Sequence, residues 1–124
     1  MFAKYNFESR GIGIIASKEI PKNTSIGIYY SKTEPITEET RLIYDGWVET
    51  NPLGKYINHN RNRNCEIYFF NKDEIRLVTN KDIRLHEELT INYLDIIKAI
   101  NLPEELANKY NIRDFDYIEE DVKL

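Results

Sequence analysis

The chain has one cysteine, Cys65, and two histidines, His59 and His86, in 124 residues. One thiol cannot close a disulfide within the chain, and without a second cysteine near the histidines the ligand set of a structural zinc site is missing. Cys65 therefore reads as a small buried core residue, and no metal is expected. Long apolar runs are also absent: none reaches the roughly 20 residues a membrane span needs. Met1 is followed by Phe2, Ala3, Lys4 and Tyr5, with no extended apolar stretch and no small-residue cleavage site. No secretory leader and no membrane partner are expected, and an intracellular protein is. Positive charge is in deficit, with 17 Lys and Arg against 21 Asp and Glu, a formal net charge of -4. That balance argues against direct binding of nucleic acid, whose phosphates need clustered Lys and Arg, and suits a basic partner.

What is present fits one soluble domain over 1–124, with 41% hydrophobic and 31% charged residues and no internal repeat. β-branched runs at 11–17 and 24–30 flank the turn-forming Ile20, Pro21, Lys22 and Asn23 and predict two short strands. Between 37 and 49 the spacing of Leu42, Ile43, Trp47 and Val48 predicts a short helix broken near Gly46. Residues 65–70 and 74–79 around Asn71, Lys72 and Asp73 predict a β-hairpin with Ile67 and Phe69 on one face. A further strand is predicted over 88–94. The period then changes: Ile96, Ile97 and Ile100 are helically spaced, and Pro103 suits the first position of a second helix through Glu104, Glu105, Leu106 and Tyr110. Strands first and helices last predict a mostly β domain with a short helical C-terminal edge.

Three segments carry candidate chemistry. Gly11-Ile12-Gly13 alone is a strand-entry turn, and without a third glycine and a following helix it is no dinucleotide fingerprint. Asn58-His59-Asn60 sits in a polar stretch between apolar neighbours, where function often resides, although asparagines also cap their own backbone in turns. Each of the nine tyrosines, taken alone, reads as a packing residue with its hydroxyl at the surface.

Taken in order, Gly11-Ile-Gly-Ile-Ile-Ala, Tyr56-Ile-Asn-His-Asn-Arg-Asn-Arg-Asn-Cys65 and Glu87-Glu-Leu-Thr-Ile-Asn-Tyr93 resemble the SET domain. The likeness spans about 8–93, leaving 94–124 as a helical and aromatic appendix, and extends to the small viral-type SET proteins that lack flanking cysteine clusters. It implies a β-clip-like fold of small curved sheets with a C-terminal pseudoknot, in which the segment ending at Tyr93 threads under the loop of Asn58 and His59. It further implies an S-adenosylmethionine-dependent protein-lysine N-methyltransferase, acting on a histone tail or another basic protein in the cytoplasm or a nucleus, a host's included. S-adenosylhomocysteine would be the product. By the same resemblance Gly11, Ile12, Gly13, Asn58, His59 and Tyr93 bind the cofactor, and Tyr93 and Tyr29 are the catalytic and channel tyrosines. Ile67, Tyr68 and Ile91 are the remaining candidates for the lysine channel, with Phe115 and Tyr117 of the acidic tail as its cover.

The chain departs from the family pattern at four places. Arg63 replaces a proline that would fix its loop, Asn60 a serine, His86 a glycine and Asn92 an aspartate; Ile91 replaces an aromatic residue that influences the number of methyls added. Two other classes stand beside the enzyme: a catalytically inactive SET-like module that binds peptide or cofactor, and an unrelated all-β interaction protein. Methyl transfer separates the first from the enzyme, and cofactor binding separates the second. Apolar surface around Trp47 or the Ile-rich helix is the expected site of any homodimer.

Overall fold

A computed structural model describes residues 1–9 and 11–113 of the chain; Phe115 and Tyr117 lie outside the described residues. The β-rich stretches form β1 (Phe2–Asn6), β2 (Ile12–Ala16), β3 (Ser25–Ser31), β4 (Arg41–Tyr44), β5 (Trp47–Glu49), β6 (Asn58–His59), β7 (Cys65–Asn71), β8 (Glu74–Thr79) and β9 (Glu88–Ile91). Three short helices join them, α1 (Leu53–Tyr56), α2 (Tyr93–Ile100) and α3 (Glu104–Lys109). One sheet has the order β1-β2-β9-β6 and the other β4-β5-β3-β8-β7. All pairings are antiparallel except β6 with β9, where Asn58 lies beside Thr90 and His59 beside Ile91. β9 is thus inserted between β2 and β6, and Asn60 N donates to Ile91 O at 2.9 Å. This insertion brings the start, middle and end of the chain to one place.

Period-2 burial sets the five-stranded sheet: Ile75, Leu77 and Thr79 of β8 are buried and their neighbours half-buried. Ile67 lies opposite Leu77 and Tyr68 opposite Arg76. In β3 the register shifts between Ile28 and Tyr30. A bulge bends the strand and breaks the alternation, so two successive side chains can share a face. Tyr29 and Tyr30 are accordingly both buried and stacked, with ring centroids 4.1 Å apart and planes 8° from parallel. They join Ile14, Ile57, Leu77, Leu89, Ile91 and Ile96 in the core, with Cys65 buried as expected.

The helix predicted over 37–49 is not formed. β4 and β5 make a hairpin there, with Asp45 at φ 50 and Gly46 at φ 82 in its turn. Asp-Gly between apolar runs is a strong signal for a turn with two left-handed residues, and here it outweighs the helical spacing of Leu42, Ile43, Trp47 and Val48. Trp47, only 4% exposed, packs edge-on to Phe69, which is itself 51% exposed, so the apolar surface in this region belongs to Phe69 and not to the indole. The strand predicted over 88–94 is also shorter. It ends at Ile91, and Asn92 caps α2 by accepting from Leu94 N, which makes Tyr93 the first helical residue. Three elements, β1, α1 and β6, have no counterpart in the sequence reading. α1 lies against β3 because Gly54 has no side chain: a Cβ there would stand 2.3 Å from Tyr29 O.

Candidate functional site

Gly11, Ile12 and Gly13 open β2, and β9 brings Glu88 alongside them by pairing Ile15 with Glu88. Gly11 has φ +83, a conformation L side chains rarely adopt. Gly13 is required for space. A Cβ at that position would meet Glu88 Oε2 at 2.6 Å, Phe7 Cε2 at 2.7 Å and Asn58 Nδ2 at 2.8 Å. Asn58 reaches this spot from β6 and donates Nδ2 to Glu88 Oε2 at 2.8 Å, with Ile12 O at 3.4 Å. A hollow of about 510 Å³ lined by Tyr5, Phe7, Ile15 and His86 adjoins the same glycine through Phe7.

Tyr93 is fixed at both ends. Its N–H donates to His59 Nδ1 at 2.9 Å, and its hydroxyl donates to Ile57 O at 2.8 Å. An Nδ1 that accepts leaves Nε2 as the ring's donor nitrogen. The ring of His59 lies 5.2 Å from that of Tyr93. His59 and Asn92 together satisfy N–H groups that the first turn of α2 would otherwise leave open. Asn92 thereby retains the capping that an aspartate would supply.

Burial is the chief cause that raises the Tyr93 phenol above its ordinary range, with the Glu49 and Glu88 carboxylates adding to it. Burial, then Tyr30 and Tyr93, raises Tyr29 in the same sense; Tyr30, missed as a candidate although it sits in a visible Tyr-Tyr doublet, is raised by burial as well. All three phenols stay protonated at neutral pH. Glu49 is buried, which raises its own carboxyl, and Arg41 opposes that shift from 3.1 Å. It forms part of the wall of a second hollow, about 480 Å³, together with Glu38, Glu39, Arg41, Lys55 and Tyr56. The tyrosine cluster therefore sits in a field of negative sign, suited to cationic groups.

The 60–64 loop is firmly held. Asn64 is buried, accepts from Thr90 N at 2.9 Å and donates to Glu88 O at 2.8 Å and Glu87 Oε2 at 3.0 Å. Arg63 forms ion pairs with Asp95 of α2 at 3.2 Å and with Glu66 at 3.7 Å. These ion pairs tie the loop to α2 and β7 at the position where a proline would fix it. His86 stands at φ 71, which accounts for glycine as the usual residue there.

Ile91 is fully buried, and Ile67 packs against the same core. Tyr68 does not join them: it lies on the opposite face of the sheet, beside Arg76 of β8, and hydrogen-bonds Ser25 Oγ at 2.8 Å. Strand alternation separates the two neighbours, so only Ile67 faces the tyrosines' side of the sheet. Glu49 and Glu88 were also missed. Neither residue type signals a site until pairing across the sheets shows what it faces.

Glycine, asparagine, histidine and tyrosine from three distant stretches thus converge around the inserted strand β9. A family model for the SET domain matches residues 11–94, and the chain belongs to that family. Solved structures agree in fold. A Plasmodium falciparum protein named as a candidate histone methyltransferase aligns at 21% identity and TM-score 0.54, covering 75% of this chain and 96% of that one. KRYPTONITE, in complex with mCHH DNA, an H3(1-15) peptide and SAH, aligns at 16% identity and TM-score 0.53, covering 74% of this chain and 23% of that one. ctPRC2, in a complex containing H3K27me3, aligns at 20% identity and TM-score 0.55, covering 75% and 14%. The chain thus spans a small part of these last two. No curated protein matches it significantly by sequence.

Proposed function

We propose that the chain is an S-adenosylmethionine-dependent protein-lysine N-methyltransferase whose target is a lysine on a basic protein, with histone tails the first candidates. The observation that carries this reading is the doubly anchored Tyr93, held by His59 Nδ1 and Ile57 O beside the Gly13 and Asn58 cradle. S-adenosylmethionine supplies an electrophilic methyl on a positively charged sulfur. The residues present fit it. Gly13 leaves room for Asn58 and Glu88 to meet beside β2, Asn58 offers an amide, and the carboxylates around Tyr93 favour positive charge. Gly11, Ile12, Gly13, Asn58, His59 and Tyr93 hold the cofactor, while Tyr29, Tyr93, Ile67 and Ile91 line the lysine channel.

The protein's work in this scheme is alignment and desolvation. A lysine entering the aromatic channel loses hydration, which favours its neutral amine over the ordinary state of a group with a pKa near ~10.4. With S-adenosylmethionine bound, these residues would hold the amine in line with its methyl, which would pass to nitrogen as the carbon–sulfur bond breaks, the ammonium proton going to water. Tyr93 stays protonated throughout and acts by position. Its hydroxyl proton is committed to Ile57 O, so the phenolic oxygen faces the reacting groups as an acceptor.

The substrate class follows from charge: the -4 balance suits a basic peptide, and Glu38, Glu39 and Glu49 outnumber Arg41 and Lys55 in the wall of the hollow beside Tyr56. H3 segments in the KRYPTONITE and ctPRC2 complexes support the same choice. The test is transfer of a radiolabelled methyl group from S-adenosylmethionine to a set of histones and ribosomal proteins. Labelled lysine is the expected result, and cofactor binding without transfer to any of them would favour the inactive module.

A further inference from the structure

The Asn58 amide is polarised by its surroundings. Its Nδ2 lies 2.8 Å from Glu88 Oε2 and 3.4 Å from Ile12 O, both acceptors. Reversing the amide would set Oδ1 against a carboxylate oxygen with no proton between them, so Glu88 admits one orientation only. The position of Glu88 is itself well determined. Its Cα pairs with Ile15 in β2, its carbonyl accepts from Asn64 Nδ2 at 2.8 Å, and the missing Cβ of Gly13 leaves room for its carboxylate. The amide oxygen of Asn58 is left turned away from Glu88, and among the described residues no donor is bonded to it.

We propose that Glu88 is a positioning residue that sets the polarity of Asn58, so that the site presents an amide oxygen, backed by a carboxylate, to the ammonium group of the cofactor's amino-acid end. This rests on the cofactor reading above and adds a selection rule: a ligand without that ammonium loses the contact. A hydrogen bond to a charged donor is worth about tenfold to a hundredfold in affinity.

The experiment compares S-adenosylhomocysteine with its desamino analogue by calorimetry. Wild-type protein is expected to prefer S-adenosylhomocysteine by about tenfold or more. Glu88→Gln keeps an acceptor for Asn58 Nδ2 and retains most of that preference. Glu88→Leu frees the amide, and the preference falls to within about threefold because S-adenosylhomocysteine weakens while the analogue does not. Binding of the analogue by that variant shows that the site is folded. A preference that survives in Glu88→Leu, or vanishes equally in Glu88→Gln, would overturn the positioning role. Wild-type protein that binds neither ligand would overturn the cofactor reading as well. A second readout needs no variant: in isotope-labelled wild-type protein the Asn58 side-chain NH₂ pair should be shifted and slow to exchange, free and ligand-bound. A pair resembling that of an exposed asparagine would overturn the inference.

Discussion

Replacing Gly13 with alanine adds one methyl group at the most crowded point of the site. The new carbon would lie 2.6 Å from Glu88 Oε2, 2.7 Å from Phe7 Cε2 and 2.8 Å from Asn58 Nδ2. Non-bonded heavy atoms rest near ~3.5 Å, so each neighbour must retreat by roughly 0.7–0.9 Å. Phe7 can swing toward the adjacent hollow, but Asn58 and Glu88 are bonded to each other across the same spot. Moving them apart gives up a charge-assisted hydrogen bond worth about 1.5–3 kcal/mol. The expected outcome is a drop of about tenfold or more in S-adenosylhomocysteine affinity by calorimetry, with a loss of about 1–2 kcal/mol in stability by denaturant unfolding. Gly11→Ala is the contrast: nothing lies within 4 Å of its added carbon, and only the φ of +83 is strained. It should cost about 1 kcal/mol of stability and leave affinity within about threefold. Gly13→Ala binding within twofold of wild type would refute the dependence of cofactor binding on the packed Gly13, Asn58 and Glu88 cluster.

Other outcomes follow from single residues. His86→Gly should stabilise the domain by about 0.5–1 kcal/mol, seen as a Tm higher by roughly 2–4 °C, because it relieves a left-handed non-glycine at φ 71; a lower Tm would contradict this. Asn64→Ala should cost about 2–3 kcal/mol by leaving Thr90 N and Glu88 O without their buried partner, whereas Arg63→Ala, which breaks half-exposed ion pairs, should cost under about 1 kcal/mol. Equal costs would show that the ion pairs, not Asn64, hold the loop. Glu49 has its carboxyl raised in the folded state, so between its unfolded and folded pKa values the native protein binds more protons and stability falls as pH rises through that window. Glu49→Gln should flatten that slope in urea titrations run across the acidic range, and an unaltered slope would contradict the assignment.

The mostly β class of the fold was legible, and so were the separate segments that the structure brings together. Gly11-Ile-Gly13, Asn58-His59 and the stretch ending in Tyr93 were readable because each carries a residue type with a narrow use, and their order supplied the rest. The hairpin of Arg41–Tyr44 and Trp47–Glu49 was misread because four apolar residues fit helical spacing, although Asp45-Gly46 signalled a turn. Tyr93 was placed on a strand because the alternation continues past Ile91; the cap at Asn92 and the histidine that accepts from Tyr93 N lie beyond any local pattern. Arg63 looked like a loss because its partner, Asp95, is distant in sequence. Tyr68 and Ile67 could be told apart only by knowing which face of β7 meets the core. Glu88 escaped notice for the same reason: its partner Asn58 is brought near by the parallel pairing of β6 with β9.

Methyl transfer by wild-type and Tyr93→Phe protein, run with radiolabelled S-adenosylmethionine on the best histone or ribosomal substrate, tests the central claim most directly. The account predicts labelled lysine with wild-type protein. It also predicts a fall of about a hundredfold or more in kcat for the variant, because the lost phenolic oxygen acts on the reacting groups. Unchanged turnover in Tyr93→Phe, or a wild-type protein that binds the cofactor and transfers no methyl to any basic protein, would contradict it.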